Sequence, residues 1–169
     1  LILLKEIRNL NLKNIFSIKE NIIVNKIDSN SLVEKYSIFK IYPSSLNVII
    51  NKAKFLAKIN IDGKIFLVGS NGKLTKTDNS NYKLPFIFGK PDINEFLNFK
   101  KVIDQSQFSY NEIKNLYFFS SKRWDIELKN DVIIKLSKNN TLESLRLVFE
   151  FLKNNQFKDV KIVDVRIKN

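Results

Sequence analysis

A change of period in the apolar residues most constrains this fold. Up to residue 27 they fall three and four apart, and beyond residue 33 they fall two apart in short runs closed by turn-forming residues. The first spacing lines one side of a helix and the second lines one side of a strand. Leu3, Leu4, Ile7 and Leu10 face away from Lys5, Glu6 and Arg8, which predicts a short amphipathic helix over Leu1 to Leu12. After a brief Ile15-Phe16-Ser17-Ile18 segment, Glu20 to Ile27 groups Ile23, Val24 and Ile27 as a second helix, ended by Asp28-Ser29-Asn30-Ser31. Tyr36, Ile38, Phe39 and Ile41 lead through a Tyr42-Pro43-Ser44-Ser45 turn to Leu46, Val48 and Ile50, a hairpin. Two helices and a hairpin make a small α+β unit over residues 1–54. Its sheet needs a further strand, expected upstream.

Residues 55–169 read as a second domain, an antiparallel sheet with helices on one face. Asp62-Gly63 separates Ile59 and Ile61 from Ile65-Phe66-Leu67-Val68, and Asn71-Gly72 follows that run, as in a meander of short strands. Asn79 to Lys83 reads as a loop before Leu84-Pro85. Asp92 with Glu95 three residues on is a capping box for a helix that buries Phe96, Phe99 and Ile103. Tyr117 to Phe119, Trp124 to Leu128 and Val132 to Leu136 read as strands, the last two joined at Lys129-Asn130-Asp131. Asn140 with Glu143 opens another helix, with Leu142, Leu145, Phe149 and Leu152 inward. Val160, Ile162, Val163, Val165 and Ile167 predict a strand at the very end of the chain. Trp124, the only tryptophan, shares a strand face with Ile126 and Leu128 and is expected in the core.

Composition narrows the chemistry. With neither cysteine nor histidine, disulfides, thiolate zinc sites and the commonest general base are all excluded. No cofactor or metal site is expected, and no glycine spacing cradles a phosphate. Asp125 and Glu127 lie two apart on one strand face, a spacing that fits either a glycosidase-like carboxylate pair or plain solvated alternation. The net charge of +12 would ordinarily suggest nucleic acid. Only four of the 29 basic residues are Arg (Arg8, Arg123, Arg146 and Arg166), and the Lys are scattered, with no basic run longer than a pair. Nucleic-acid readers usually lean on arginine forks and grouped basic faces with stacking aromatics, so nucleic acid is not the expected partner. No run is long and apolar enough for a membrane span or signal peptide. A chain that lacks Met and begins at Leu1 is expected to have lost an upstream segment.

Four segments, in order, resemble one family. Ile41-Tyr42-Pro43-Ser44-Ser45-Leu46-Asn47-Val48-Ile49-Ile50 is similar to the aromatic-Pro-x-x-Leu-x-Ile hairpin that closes the POTRA domain of FtsQ, called DivIB in some bacteria. Asn51-Lys52-Ala53 stands where that family commonly has an acidic-basic pair. Phe66-Leu67-Val68, Asn71-Gly72, Leu84-Pro85 and Gly89 resemble the start of the family's β domain. Lys122-Arg123-Trp124-Asp125-Ile126-Glu127-Leu128, with Val132 and Lys135-Leu136 after it, resembles its basic-Trp-x-x-x-Leu strand. Val163-Asp164-Val165-Arg166 resembles its Val-Asp-Leu-Arg signature.

The resemblance implies a POTRA domain and a β domain outside the inner membrane, in the periplasm at the division septum, behind one upstream transmembrane helix. It implies a non-enzymatic divisome scaffold that recruits FtsB and FtsL, and through them the septal peptidoglycan synthases. In that family a segment of FtsB adds as a strand to the last sheet edge. The positions carried over are Arg166, Ile167 and Lys168, with Lys122 or Arg123 supplying positive charge to an acidic partner residue. The alternatives are a POTRA-bearing outer-membrane assembly or secretion component, and a cell-wall hydrolase using Asp125 and Glu127.

Overall fold

The structure is a computed structural model that describes residues 5, 7, 20–43, 45–77, 81–153 and 160–166. Of the expected first helix only Lys5 and Ile7 are described, both helical, and the Ile15 to Ile18 segment lies outside the described residues. The described chain divides into two compact units, residues 1–55 with 69–75, and residues 56–68 with 76–169.

In the first unit, helix α1 (Glu20–Asp28) sets Ile23 and Ile27 one turn apart on one side, and both are buried with Ile7 and Val33. Strands β1 (Val33–Ile41) and β2 (Ser45–Lys52) form the expected antiparallel hairpin. Tyr36 pairs with Ile50 and Ile38 with Val48, so these side chains and Leu46 share the face that packs on α1, as the alternation predicts. The segment 69–75 is fastened to this unit by polar side chains. Asn71 Nδ2 donates to the carbonyls of Ser31 and Val33 at 3.0 and 2.7 Å, Ser70 Oγ donates to Glu34 at 2.5 Å, and Lys73 Nζ reaches the carbonyl of Asp28 at 2.6 Å.

The remaining strands are β3 (Phe55–Ile61), β4 (Lys64–Gly69), β5 (Leu74–Lys76), β6 (Phe86–Phe88), β7 (Ile113–Phe118), β8 (Trp124–Leu128), β9 (Ile133–Lys135) and β10 (Ile162–Asp164). The sheet of the second unit runs β10-β9-β8-β7-β6-β3-β4. Asp62 and Gly63 join β3 to β4 with φ of 50° and 78°, the double positive φ of a type I′ hairpin turn. The sheet is mixed. β7-β8-β9 is antiparallel as expected, whereas β6 runs parallel to both β3 and β7, and β10 runs parallel to β9.

Helices α2 (Ile93–Gln105) and α3 (Thr141–Lys153) supply the cover on one sheet face. The register aligns Ile87, Leu116, Ile126, Ile134 and Val163 across five strands on that face, and all are buried. Trp124 joins them as expected, its ring stacked on Phe99 of α2 at 4.6 Å and tilted against Phe96 and Phe118. In α3 Leu145 is buried as expected. Val148 is buried too, whereas Leu142, Phe149 and Leu152 are half-buried.

Candidate peptide-docking edge

Strand β10 has β9 on one side and no described strand on the other. The N–H of Ile133 donates to Lys161 O at 2.8 Å, and the N–H of Val165 donates to Lys135 O at 3.0 Å. In a parallel ladder alternate residues direct both main-chain groups to the same side. Lys161, Val163 and Val165 therefore face β9, and the N–H and C=O groups of Ile162 and Asp164 face outward. Val163 buries its side chain among the core residues, while Ile162 is 53% exposed. The edge is thus anchored from below through one apolar side chain and presents its hydrogen-bonding groups outward.

On the sheet face away from the helices, the register sets Tyr117, Asp125, Lys135 and Asp164 in one row across β7, β8, β9 and β10. Asp125 is only 4% exposed, although alternation alone would leave it in solvent. Its carboxylate is paired instead: Arg123 donates to it through Nε at 3.0 Å and Nη2 at 3.2 Å, a forked geometry that compensates a buried charge. The Arg123 guanidinium also lies over the Phe119 ring at 4.4 Å. Arg166, just past the end of β10, makes the matching fork to Asp164, and Asp125 adds to the field that holds its proton. The Arg166 bond holds the Asp164 carboxyl below the usual carboxylate range, against a smaller opposing effect of burial.

Among the residues carried over from the resemblance, Arg123 is bonded to Asp125 on β8, two strands in from the edge, and Arg166, just past β10, feels the Asp125 charge. Lys122, at φ 63°, turns away and pairs with Glu95 of α2 at 2.9 Å. Ile167 and Lys168 lie outside the described residues. The resemblance does not carry over Asp164, Lys135 or Ile162 as site residues. A legible signal for Asp164 existed, since opposite charges two apart on a strand share a face.

Glu127, the other member of the glycosidase-like carboxylate pair, accepts from Asn115 at 2.9 Å, Tyr117 at 2.5 Å and Lys114 at 2.9 Å. These donors, Asn115 foremost, hold its pKa down to about 2. A glycosidase acid must be raised toward neutrality, so Glu127 is tuned the wrong way and Asp125 is committed to Arg123.

A sequence model of the C-terminal region of the cell division protein FtsQ/DivIB matches residues 49–166. Among solved structures, the major extracytoplasmic domain of the trans isomer of the cell division protein DivIB from Geobacillus stearothermophilus is similar, at 11% identity and a TM-score of 0.44. That likeness covers 62% of this chain and 98% of that one. No curated protein matches the sequence.

Proposed function

Because the chain belongs to the FtsQ/DivIB family of cell-division proteins, we propose that it is a non-enzymatic scaffold of the division machinery that takes a segment of FtsB as an added strand on β10. Residues 1–54 serve as its POTRA domain and residues 55–169 as its β domain. Both lie in the periplasm behind an upstream transmembrane helix. Binding there links FtsB and FtsL, and with them the septal peptidoglycan synthases, to earlier division proteins. Arg123 and Arg166 supply the positive charge, and Ile167 and Lys168, which lie outside the described residues, are further contact positions carried over from the family resemblance. Lys122 contributes through the general field, since its ammonium is paired with Glu95.

The observation that carries this reading is the edge position of Ile162–Asp164, with main-chain groups facing outward from the sheet. Strand addition uses those groups for affinity and the flanking side chains for specificity. Ile162→Pro tests it directly. The substitution deletes an outward N–H and puts a ring where the guest strand would lie, while the bonds to β9 come from Lys161, Val163 and Val165. Titration calorimetry with the extracytoplasmic segment of FtsB is expected to show at least a roughly tenfold loss for Ile162→Pro and little change for Ile162→Ala. Wild-type affinity in the proline variant would remove strand addition at this edge.

A further inference from the structure

The docking role leans on Arg166, yet Arg166 is already engaged. The outward donors of β10 are the N–H groups of Ile162 and Asp164, and a third N–H, that of Arg166, follows just past the end of the strand, where the chain bends. Asp164 Oδ1 accepts from the third of these at 3.2 Å and from Arg166 Nε at 2.8 Å. Its Oδ2 accepts from Nε at 3.0 Å and from Nη2 at 2.5 Å. One carboxylate thereby fills both features that an acidic guest strand would use. These are the first outward main-chain donor past the end of the strand and the Nε–Nη2 side of the guanidinium, which takes a carboxylate through two parallel bonds. Lys135 stands opposite Asp164 in the β9 register and adds a favourable charge. The pair is not locked by burial, since the Arg166 and Asp164 side chains are 40% and 38% exposed.

We propose, building on the docking role above, that Asp164 is a built-in competitor at this edge. It closes the end of the ladder and the Arg166 fork to strands in general, and it yields to an extended peptide that carries its own carboxylate. Such a guest replaces both interactions at once, with a carbonyl on the Arg166 N–H and a carboxylate on the guanidinium. A neutral strand either stops short of Arg166 or breaks charge-assisted bonds without replacing them. An open edge that would otherwise pair with many strands is thereby made selective for acidic ones.

The test titrates wild type, Asp164→Ala and Asp164→Asn with a synthetic extended peptide bearing one central Glu and with its Gln counterpart, and follows amide exchange at Arg166. Asp164→Ala is expected to bind the Glu peptide roughly three- to tenfold more tightly than wild type, with Asp164→Asn between them. The Arg166 amide is expected to exchange faster in Asp164→Ala than in wild type. Equal or weaker binding of the Glu peptide by Asp164→Ala, or equally fast exchange in both proteins, overturns the proposal. It leaves docking standing wherever Ile162→Pro still abolishes binding. If neither peptide binds any of the three proteins and Ile162→Pro changes nothing, the docking reading falls and this proposal falls with it.

Discussion

Glu127 is held by an amide, a phenol and an ammonium at once, and its side chain is only 14% exposed. The depressed pKa fixes the sign of a pH effect. A carboxylate held near 2 in the folded chain against an ordinary 4.5 stabilises the fold fully above 4.5 and loses that contribution as the pH falls toward 2. Glu127→Gln keeps an acceptor for Asn115 and Tyr117 but loses the charge, so it is expected to cost about 1–2 kcal/mol at pH 7. Thermal melts of the two proteins should converge between pH 5 and about 2.5. A gap as wide at pH 3 as at pH 7 would show that the charge is not what stabilises this cluster. Asp125, two residues earlier, shows what alternation leaves unread. The period assigns its face correctly, but its burial depends on Arg123 closing over it, with Lys135 beside it in the register. Burial of that kind is set by neighbours across the sheet, which strand alternation does not encode.

Elements were legible where local chemistry specifies them. The capping box at the start of α2 is one case. Asp92 Oδ1 accepts the Asn94 N–H at 2.7 Å, and Glu95 reaches back to the Asp92 N–H at 3.3 Å. Asp92→Ala removes the acceptor for an otherwise orphaned helix donor and is expected to cost about 1 kcal/mol. Trp124, stacked on Phe99 of the same helix, reports the change, and an unaltered fluorescence melting midpoint would contradict it. The β1–β2 hairpin was equally plain, because Leu46, Val48 and Ile50 alternate next to a proline turn. Strand β6 was not, since Phe86–Phe88 is three residues between Pro85 and Gly89, too short to show any period. Parallel pairing escaped the sequence for a different reason. A strand shows the same alternation whichever way its neighbour runs, so the direction of β10 against β9 is decided by the connection through α3 and by the burial of Val163. That direction matters to the docking edge, because it determines which alternate residues face outward.

For the whole molecule, charge separates two effects that one arginine cannot. The chain carries a net +12. In the row of charges that runs across β8 and β9 to β10 and Arg166, however, Arg123, Lys135 and Arg166 stand against Asp125 and Asp164, a balance of one positive charge. Long-range attraction of an acidic guest therefore comes from the scattered lysines, while Arg166 acts at contact distance, after encounter. Steering by a distributed field is screened over about 8–10 Å at physiological salt, whereas a contact pair that excludes water is screened much less. The association rate of the FtsB segment is accordingly expected to fall about tenfold between roughly 0.05 and 0.5 M salt. Arg166→Ala should leave that rate within about twofold and act mainly by speeding dissociation. Stopped-flow measurements at several salt concentrations distinguish the cases. An association rate indifferent to salt but sharply slowed by Arg166→Ala would place the steering charge at the edge itself, and the surplus of lysine would then have no part in partner capture.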